Sequence, residues 1–270
     1  MRERPWKGPS GRRRSGPPGG DRNARGSRPA RRDDDPAVLY GWHSVRAALE
    51  NPARRFRRLL LTENAARRLA AEGVVLPREP EVVRPDLIDR ELAPDAVHQG
   101  LYAEVDALPA LDIADVASDG IVLALDQITD PHNVGAIIRT AAAFGVAALV
   151  LTARHSPEAT GVLAKSASGG LEHVPLVIVT NLARALGTLK ERGFLLVGLD
   201  SQGTADLADT ELRAPLALVL GAEGKGLRQL TRATCDHVAR LDVPGEIKSL
   251  NVSNAAALAL YAATRRLAGA

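Results

Sequence analysis

After residue 119 the chain carries six short, almost uninterrupted apolar runs, at 121–125, 147–151, 175–179, 194–199, 216–220 and 238–241. A strand wetted on one face alternates apolar and polar residues. One buried on both faces reads as a continuous run of Val, Ile, Leu and Ala. Helical stretches lie between most of these runs, and strands alternating with helices predict an α/β domain with a parallel sheet covered on both faces. Aromatic residues are only 3% of the chain, so the core of that sheet must be packed with aliphatic side chains.

Ahead of this region the pattern changes. Residues 37–106 read as a small α/β unit, with a short helix after Tyr40-Gly41-Trp42-His43-Ser44, strands at 57–61, 81–83 and 100–105, and helices at 64–72 and 86–92. Residues 107–118 read as a linker, and the sheet domain occupies 119–270. Arg54, Arg55, Arg57, Arg58, Arg67 and Arg68 cluster in the small unit. They offer either a phosphate-facing surface or an ordinary solvated face. Residues 1–36, rich in Arg, Gly, Pro and Ser, hold too little apolar surface to offset the entropy of ordering, so a disordered basic tail is expected. The first 35 residues hold eleven Lys or Arg against five Asp or Glu, an excess larger than the whole chain's net charge of +3. The tail's arginines can displace counterions from a nucleic-acid backbone without reading sequence, or can serve solubility alone.

No apolar run approaches the ~18 residues of a membrane span, and the basic N-terminus lacks a signal peptide's apolar stretch. Cys235 is the single cysteine, so no internal disulfide is expected, which suits a reducing, cytoplasmic setting. The six histidines are scattered rather than spaced as ligands, and no metal is expected.

Three segments share one design: a strand end, a polar or Gly-rich turn, then a helix start. The first is Leu125-Asp126-Gln127-Ile128-Thr129-Asp130-Pro131-His132-Asn133-Val134-Gly135, followed by Arg139. Alone, Asn133 reads as a cap and Arg139 as a surface arginine. The second is Leu220-Gly221-Ala222-Glu223-Gly224-Lys225-Gly226. Its glycines admit close approach to the backbone, but it lacks the Gly-Lys-Ser/Thr ending of a P-loop and sits too late in the sheet for a dinucleotide fingerprint. The third is Ser249-Leu250-Asn251-Val252-Ser253-Asn254, ahead of an Ala-rich helix at 255–266. One Ser or Asn suffices to cap a helix, so the surplus suggests a bound ligand. In a parallel sheet such turns all lie along the C-terminal strand edge, where ligands bind. Asn133, Arg139, Glu223, Ser249 and Asn251 are thereby expected near one another.

These three segments, in this order, resemble the motifs of the SpoU/TrmH family, the RNA ribose 2′-O-methyltransferases of the SPOUT superfamily. The resemblance covers about residues 119–268. The small unit, through Gly41-Trp42-His43-Ser44-Val45 and its order of elements, resembles the L30e-like substrate-binding domain of bacterial 23S rRNA guanosine 2′-O-methyltransferases. The resemblance implies a parallel sheet with a deep trefoil knot, a homodimer, and S-adenosylmethionine as methyl donor. It makes Arg139 the principal catalytic residue, with Asn133, Glu223, Ser249 and Asn251 shaping the site. It sets Leu220, Gly221, Gly224, Leu241, Val243 and Leu250 around the cofactor. The RNA implied is 23S rRNA, with tRNA second. Two other classes stay open on the residues alone: an RNA-binding protein of this fold without catalysis, and an α/β enzyme using a nicotinamide or flavin nucleotide.

Overall fold

The computed structural model describes residues 35–154, 156–247 and 249–269. The expected tail therefore lies outside the described residues except for Asp35 and Pro36.

The first sheet comprises β1 (Ala37–Tyr40), β2 (Phe56–Leu61), β3 (Glu81–Val82) and β4 (Leu101–Val105), in the order β1-β4-β2-β3. Helices α1 (Trp42–Glu50), α2 (Glu63–Ala71) and α3 (Pro85–Glu91) connect them. Strand β1 was hidden in the sequence because it is only four residues long and runs straight into α1 through Gly41. The arginine cluster is largely taken up by internal pairing. Arg54 is buried against Glu172, Arg57 meets Asp106, Arg58 meets Glu81 and Glu91, and Arg68 meets Glu72. Arg54 is thereby withdrawn from any phosphate-facing surface, while the Arg57, Arg58 and Arg68 side chains stay 43%, 34% and 59% exposed.

The second sheet comprises β5 (Ile121–Asp126), β6 (Ala148–Thr152), β7 (Leu176–Val179), β8 (Leu195–Leu199), β9 (Ala205–Asp206), β10 (Leu216–Gly221) and β11 (His237–Arg240). Its order is β7-β6-β5-β10-β8-β11-β9, and every pairing is parallel. The two-residue β9 was too short to register as an apolar run. The helices are α4 (Pro131–Ala143), α5 (Gly161–Ala167), α6 (Leu182–Glu191), α7 (Gln229–Thr234) and α8 (Val252–Ala268).

Alternation along each strand divides the core. Leu123, Leu125, Leu149, Leu151, Val197, Leu218 and Leu220 face α4, α5 and α8. Val122, Ala124, Val150, Leu196, Ala217 and Val219 face α6. Both faces are dry, which is why these strands read as continuous apolar runs. The first cluster also takes in Leu39, Val45, Leu59, Leu61, Leu101 and Val105, so the two sheets share one core. Residues 107–118 are tied to the large sheet's side of the molecule. The Leu111 amide donates to the Leu176 carbonyl at 2.8 Å, and Arg192 donates to the Ile113 carbonyl at 2.9 Å. Among the described residues no helix is long and apolar enough to cross a membrane, and no group of three His, Cys, Asp or Glu side chains could hold a metal.

Candidate active site

Strands β5 and β10 are neighbours, and their register ends on Asp126 beside Gly221. From β5 the chain winds outward through β6 and β7, while β8, β11 and β9 lie on the other side of β10. The order of winding therefore reverses between β5 and β10, and in an open α/β sheet the crevice beyond such a reversal is the ligand site.

The turn after β10 is held tightly. Residue 222 pairs with residue 226 across it, and the Gly226 amide donates to the Ala222 carbonyl at 2.9 Å. A Cβ on Gly221 would stand 2.2 Å from the Gly226 carbonyl carbon, and Gly226 adopts φ +64. That backbone geometry favours glycine. Two carboxylates pin the far side of the turn. Asp200, following β8, accepts from the Leu227 amide at 3.1 Å and pairs with Arg232 at 2.7 Å. Asp126 is buried at 1% exposure and accepts from the Arg228 amide at 2.9 Å and the Arg228 Nε at 2.6 Å. Burial pushes the Asp200 carboxyl up. Hydrogen bonds from the Gln202 amide, Arg232 and the Leu227 amide outweigh that and hold it below its ordinary value.

The three motif segments meet at Glu223. Its Oε1 accepts from the Asn251 amide nitrogen at 2.8 Å, from the Val252 backbone N–H at 3.0 Å and from the Asn133 amide nitrogen at 3.4 Å. The Asn251 Nδ2 also donates to Asn133 Oδ1 at 2.9 Å. Meanwhile Asn251 Oδ1 caps α8 by accepting from the Ser253 amide at 2.9 Å. The carboxylate of Glu223 thus sits at the positive end of α8, where negative charge is stabilised. The surplus polarity at the start of α8 is explained in part without a ligand: several of its groups tie the three segments together. Two expected site residues stand outside this trio. Ser249 lines the neighbouring cavity. Arg139 is exposed, six residues beyond Asn133 and about 120° around the helix from it. Its side chain makes no hydrogen bond or ion pair among the described residues.

Two cavities share Glu223, Ala222, Lys225 and Val252 as a wall. One, of about 290 Å³, is lined by Leu199, Leu220, Gly221, Gly224, Leu241, Ser249 and Leu250, among others. Val243 lies outside its lining. The second, of about 460 Å³, is lined by Gln127, Ile128, Thr129, Asp130 and Asn133. Gln127 there holds φ +61, a left-handed conformation rare outside glycine. Asp200, Arg232 and Gln127 were not singled out in the sequence. The signal for Asp200 was present, since Asp200-Ser201-Gln202 is the polar turn that ends another buried strand at the same sheet edge.

Gly135 sits where α4 meets α5. A Cβ there would stand 2.5 Å from Ser166 Cβ and 2.6 Å from the Leu163 carbonyl, so the glycine lets α5 lie against α4.

Residues 120–261 match the model of the SpoU rRNA methylase family, and residues 38–111 match that of RNA 2′-O ribose methyltransferase substrate binding. The chain is 36% identical over 248 residues to the 23S rRNA (guanosine-2′-O-)-methyltransferase RlmB of Pectobacterium atrosepticum, covering 86% of this chain and 99% of that one. It is 39% identical over 246 residues to the enzyme of the same name from Vibrio cholerae, covering 85% and 96%. Among solved structures it resembles the SpoU methyltransferase AviRb of Streptomyces viridochromogenes in complex with AdoMet. That likeness has a TM-score of 0.72 at 28% identity and covers 86% of this chain and 90% of the other. The family model spans more than half of the 270 residues, and these relatives match over nearly their full length; the chain belongs to the SpoU rRNA methylase family.

Proposed function

We propose that this protein is an S-adenosylmethionine-dependent methyltransferase acting on the ribose 2′-hydroxyl of a guanosine in 23S rRNA. The observation that carries the reading is the Glu223 wall: two cavities meet at a carboxylate fixed by Asn133, Asn251 and the start of α8. The smaller cavity suits the cofactor. Leu199, Leu220, Leu241 and Leu250 offer apolar faces for a purine, and the exposed backbone of the 221–226 turn offers donors and acceptors for its edge and for an amino-acid tail. Bound S-adenosylmethionine supplies an electrophilic methyl on a cationic sulfonium.

The larger cavity, with Gln127, Thr129, Asp130 and Asn133, takes the target nucleoside. The chain's task is to hold the hydroxyl in line with the methyl, since positioning is the largest lever on a displacement of this kind. Glu223 carries negative charge on the wall between the two sites, where it complements a cation on the donor side. A guanidinium is a hydrogen-bond donor with no acceptor site, so Arg139 is a poor base. Its guanidinium binds the phosphate beside the target ribose and favours the developing alkoxide, and that phosphate or a water takes the proton.

In this reading residues 37–106 form the L30e-like RNA-gripping domain, 107–118 the connection and 119–270 the catalytic domain. The 119–270 segment carries the trefoil knot of its superfamily, two copies pair as a homodimer, and the work is done in the cytoplasm without a metal. The test is transfer of labelled methyl to 23S rRNA by the wild-type chain and by Arg139→Ala. The variant should bind S-adenosylhomocysteine normally and transfer label about 10²-fold more slowly or worse. An unchanged rate removes Arg139 from its role, and no transfer by the wild type removes the proposed activity.

A further inference from the structure

The turn between α5 and β7 lies between the two sheets and touches both. Ser168 at φ +51 and Gly169 at φ +92 turn the backbone through left-handed conformations. On one side, a Cβ on Gly169 would stand 2.7 Å from Ala47 Cβ and 3.1 Å from the His43 carbonyl, so the turn is seated directly on α1 of the small sheet. On the other side, a Cβ on Gly170 would stand 3.0 Å from the Ile138 carbonyl and 3.2 Å from Arg139 Cα and N. The same turn therefore presses on the backbone of Arg139.

Two residues later the turn is clamped. Glu172 accepts from Arg54 Nη2 at 2.6 Å, Arg54 Nε at 3.1 Å and Asn51 Nδ2 at 2.7 Å, while Arg54 Nη1 reaches the Asp106 carbonyl at 2.9 Å. The Arg54 and Glu172 side chains are only 4% and 2% exposed. An ion pair so deeply buried contributes little net stability against an apolar replacement, but it fixes one geometry and penalises others. Two further bonds hold the same alignment: Ser44 Oγ donates to the Ala164 carbonyl at 2.8 Å, and Thr160 Oγ1 donates to the Val38 carbonyl at 2.9 Å.

We propose that the 168–172 turn, clamped by Arg54 and Asn51 through Glu172, is a positioning device that sets the small sheet at a fixed place relative to Arg139. RNA held by the small sheet is then presented to Arg139 in one register rather than swung in on a tether. Glu172 and Arg54 touch no substrate and act through the turn. This rests on the proposed role of the small sheet in gripping RNA.

The test uses the full chain, since the two sheets share a core. Glu172→Gln keeps the shape of the side chain and removes the charge that holds Arg54. The device predicts that S-adenosylhomocysteine affinity and KM for rRNA stay within about twofold of wild type, while kcat falls by about tenfold or more, the scale expected of a small misplacement. Folding is followed by thermal melting. Should Glu172→Gln fail to fold, Asn51→Ala removes a single hydrogen bond from the clamp, and the same split between kcat and KM is required of it. A folded variant with wild-type kcat overturns the proposal, as does a loss confined to KM. Either outcome is read against an active wild-type enzyme; a wild type that methylates no RNA overturns the proposed function itself, and the positioning device falls with it.

Discussion

The side-chain amide of Asn251 lies 2.8 Å from Glu223 Oε1 and joins the start of α8 to the turn after β10, 28 residues earlier in the chain. The same nitrogen reaches Asn133 Oδ1 at 2.9 Å, so one group fastens together three strand-edge segments. Replacing it tests whether this fastening shapes the site. Asn251→Ala removes both bonds and the cap on the Ser253 amide, and should cost about 1 kcal/mol of stability. Asn251→Asp keeps a cap but sets a second carboxylate against Glu223, and like charges in contact repel. It should weaken S-adenosylhomocysteine binding more than Asn251→Ala does. Calorimetric titration of both variants decides the order, and equal affinities would mean that the charge on Glu223 does not reach the cofactor cavity.

Close approach of α4 and α5 depends on a missing side chain. Gly135→Ala would drive a methyl to within 2.5 Å of Ser166 Cβ and 2.6 Å of the Leu163 carbonyl. Helix propensity alone favours alanine, but overpacking of a buried contact costs about 1–3 kcal/mol. Net destabilisation is therefore expected in chemical denaturation, and a stabilised variant would show that α5 can move aside freely.

Acid should loosen the Gly-rich turn. Asp200 and Asp236 both have pKa values held below the ordinary one. In each, burial pushes the carboxyl up and hydrogen bonds outweigh it, from the Gln202 amide and Arg232 for Asp200 and from Lys190 and the Leu196 amide for Asp236. A lowered folded-state pKa contributes stability above the unfolded value, near 4. That contribution is lost as pH falls below it towards the lowered value. Unfolding midpoints should thus decline on acidification below about pH 4, and Asp200→Asn should flatten part of that decline.

Cys235 should be inert while the protein is folded. Burial, with Asp236 close by, pushes its thiol up to about 12, and its Sγ donates to the Thr231 carbonyl at 3.3 Å. The thiolate is the reactive form. Ellman's reagent at pH 8 should label the native chain slowly and the unfolded chain at once. Rapid labelling of the native chain would mean that this part of α7 opens readily.

The large sheet was legible because both its faces are buried, which wrote each long strand as an apolar run. What escaped was short or nonlocal. β9 has two residues, and β1 turns into α1 after four. The meeting of Asn133, Glu223 and Asn251 followed from the shared strand–turn–helix design, because a parallel sheet gathers such turns on one edge. Arg139 was expected among them and is not bonded to them, since six residues of helix rotate it away from Asn133. Arg54 read as surface charge because its partner, Glu172, lies 118 residues away. No local pattern distinguishes an arginine that will be buried in such a pair from one left in water.

The most direct measurement takes 23S rRNA lacking its own 2′-O-methyl groups, adds the purified chain with methyl-labelled S-adenosylmethionine, and maps the labelled nucleotide after digestion. The proposed activity predicts a single 2′-O-methylguanosine, formed by the wild type and lost with Arg139→Ala. Label on a base, or on no nucleotide of the rRNA, would contradict it.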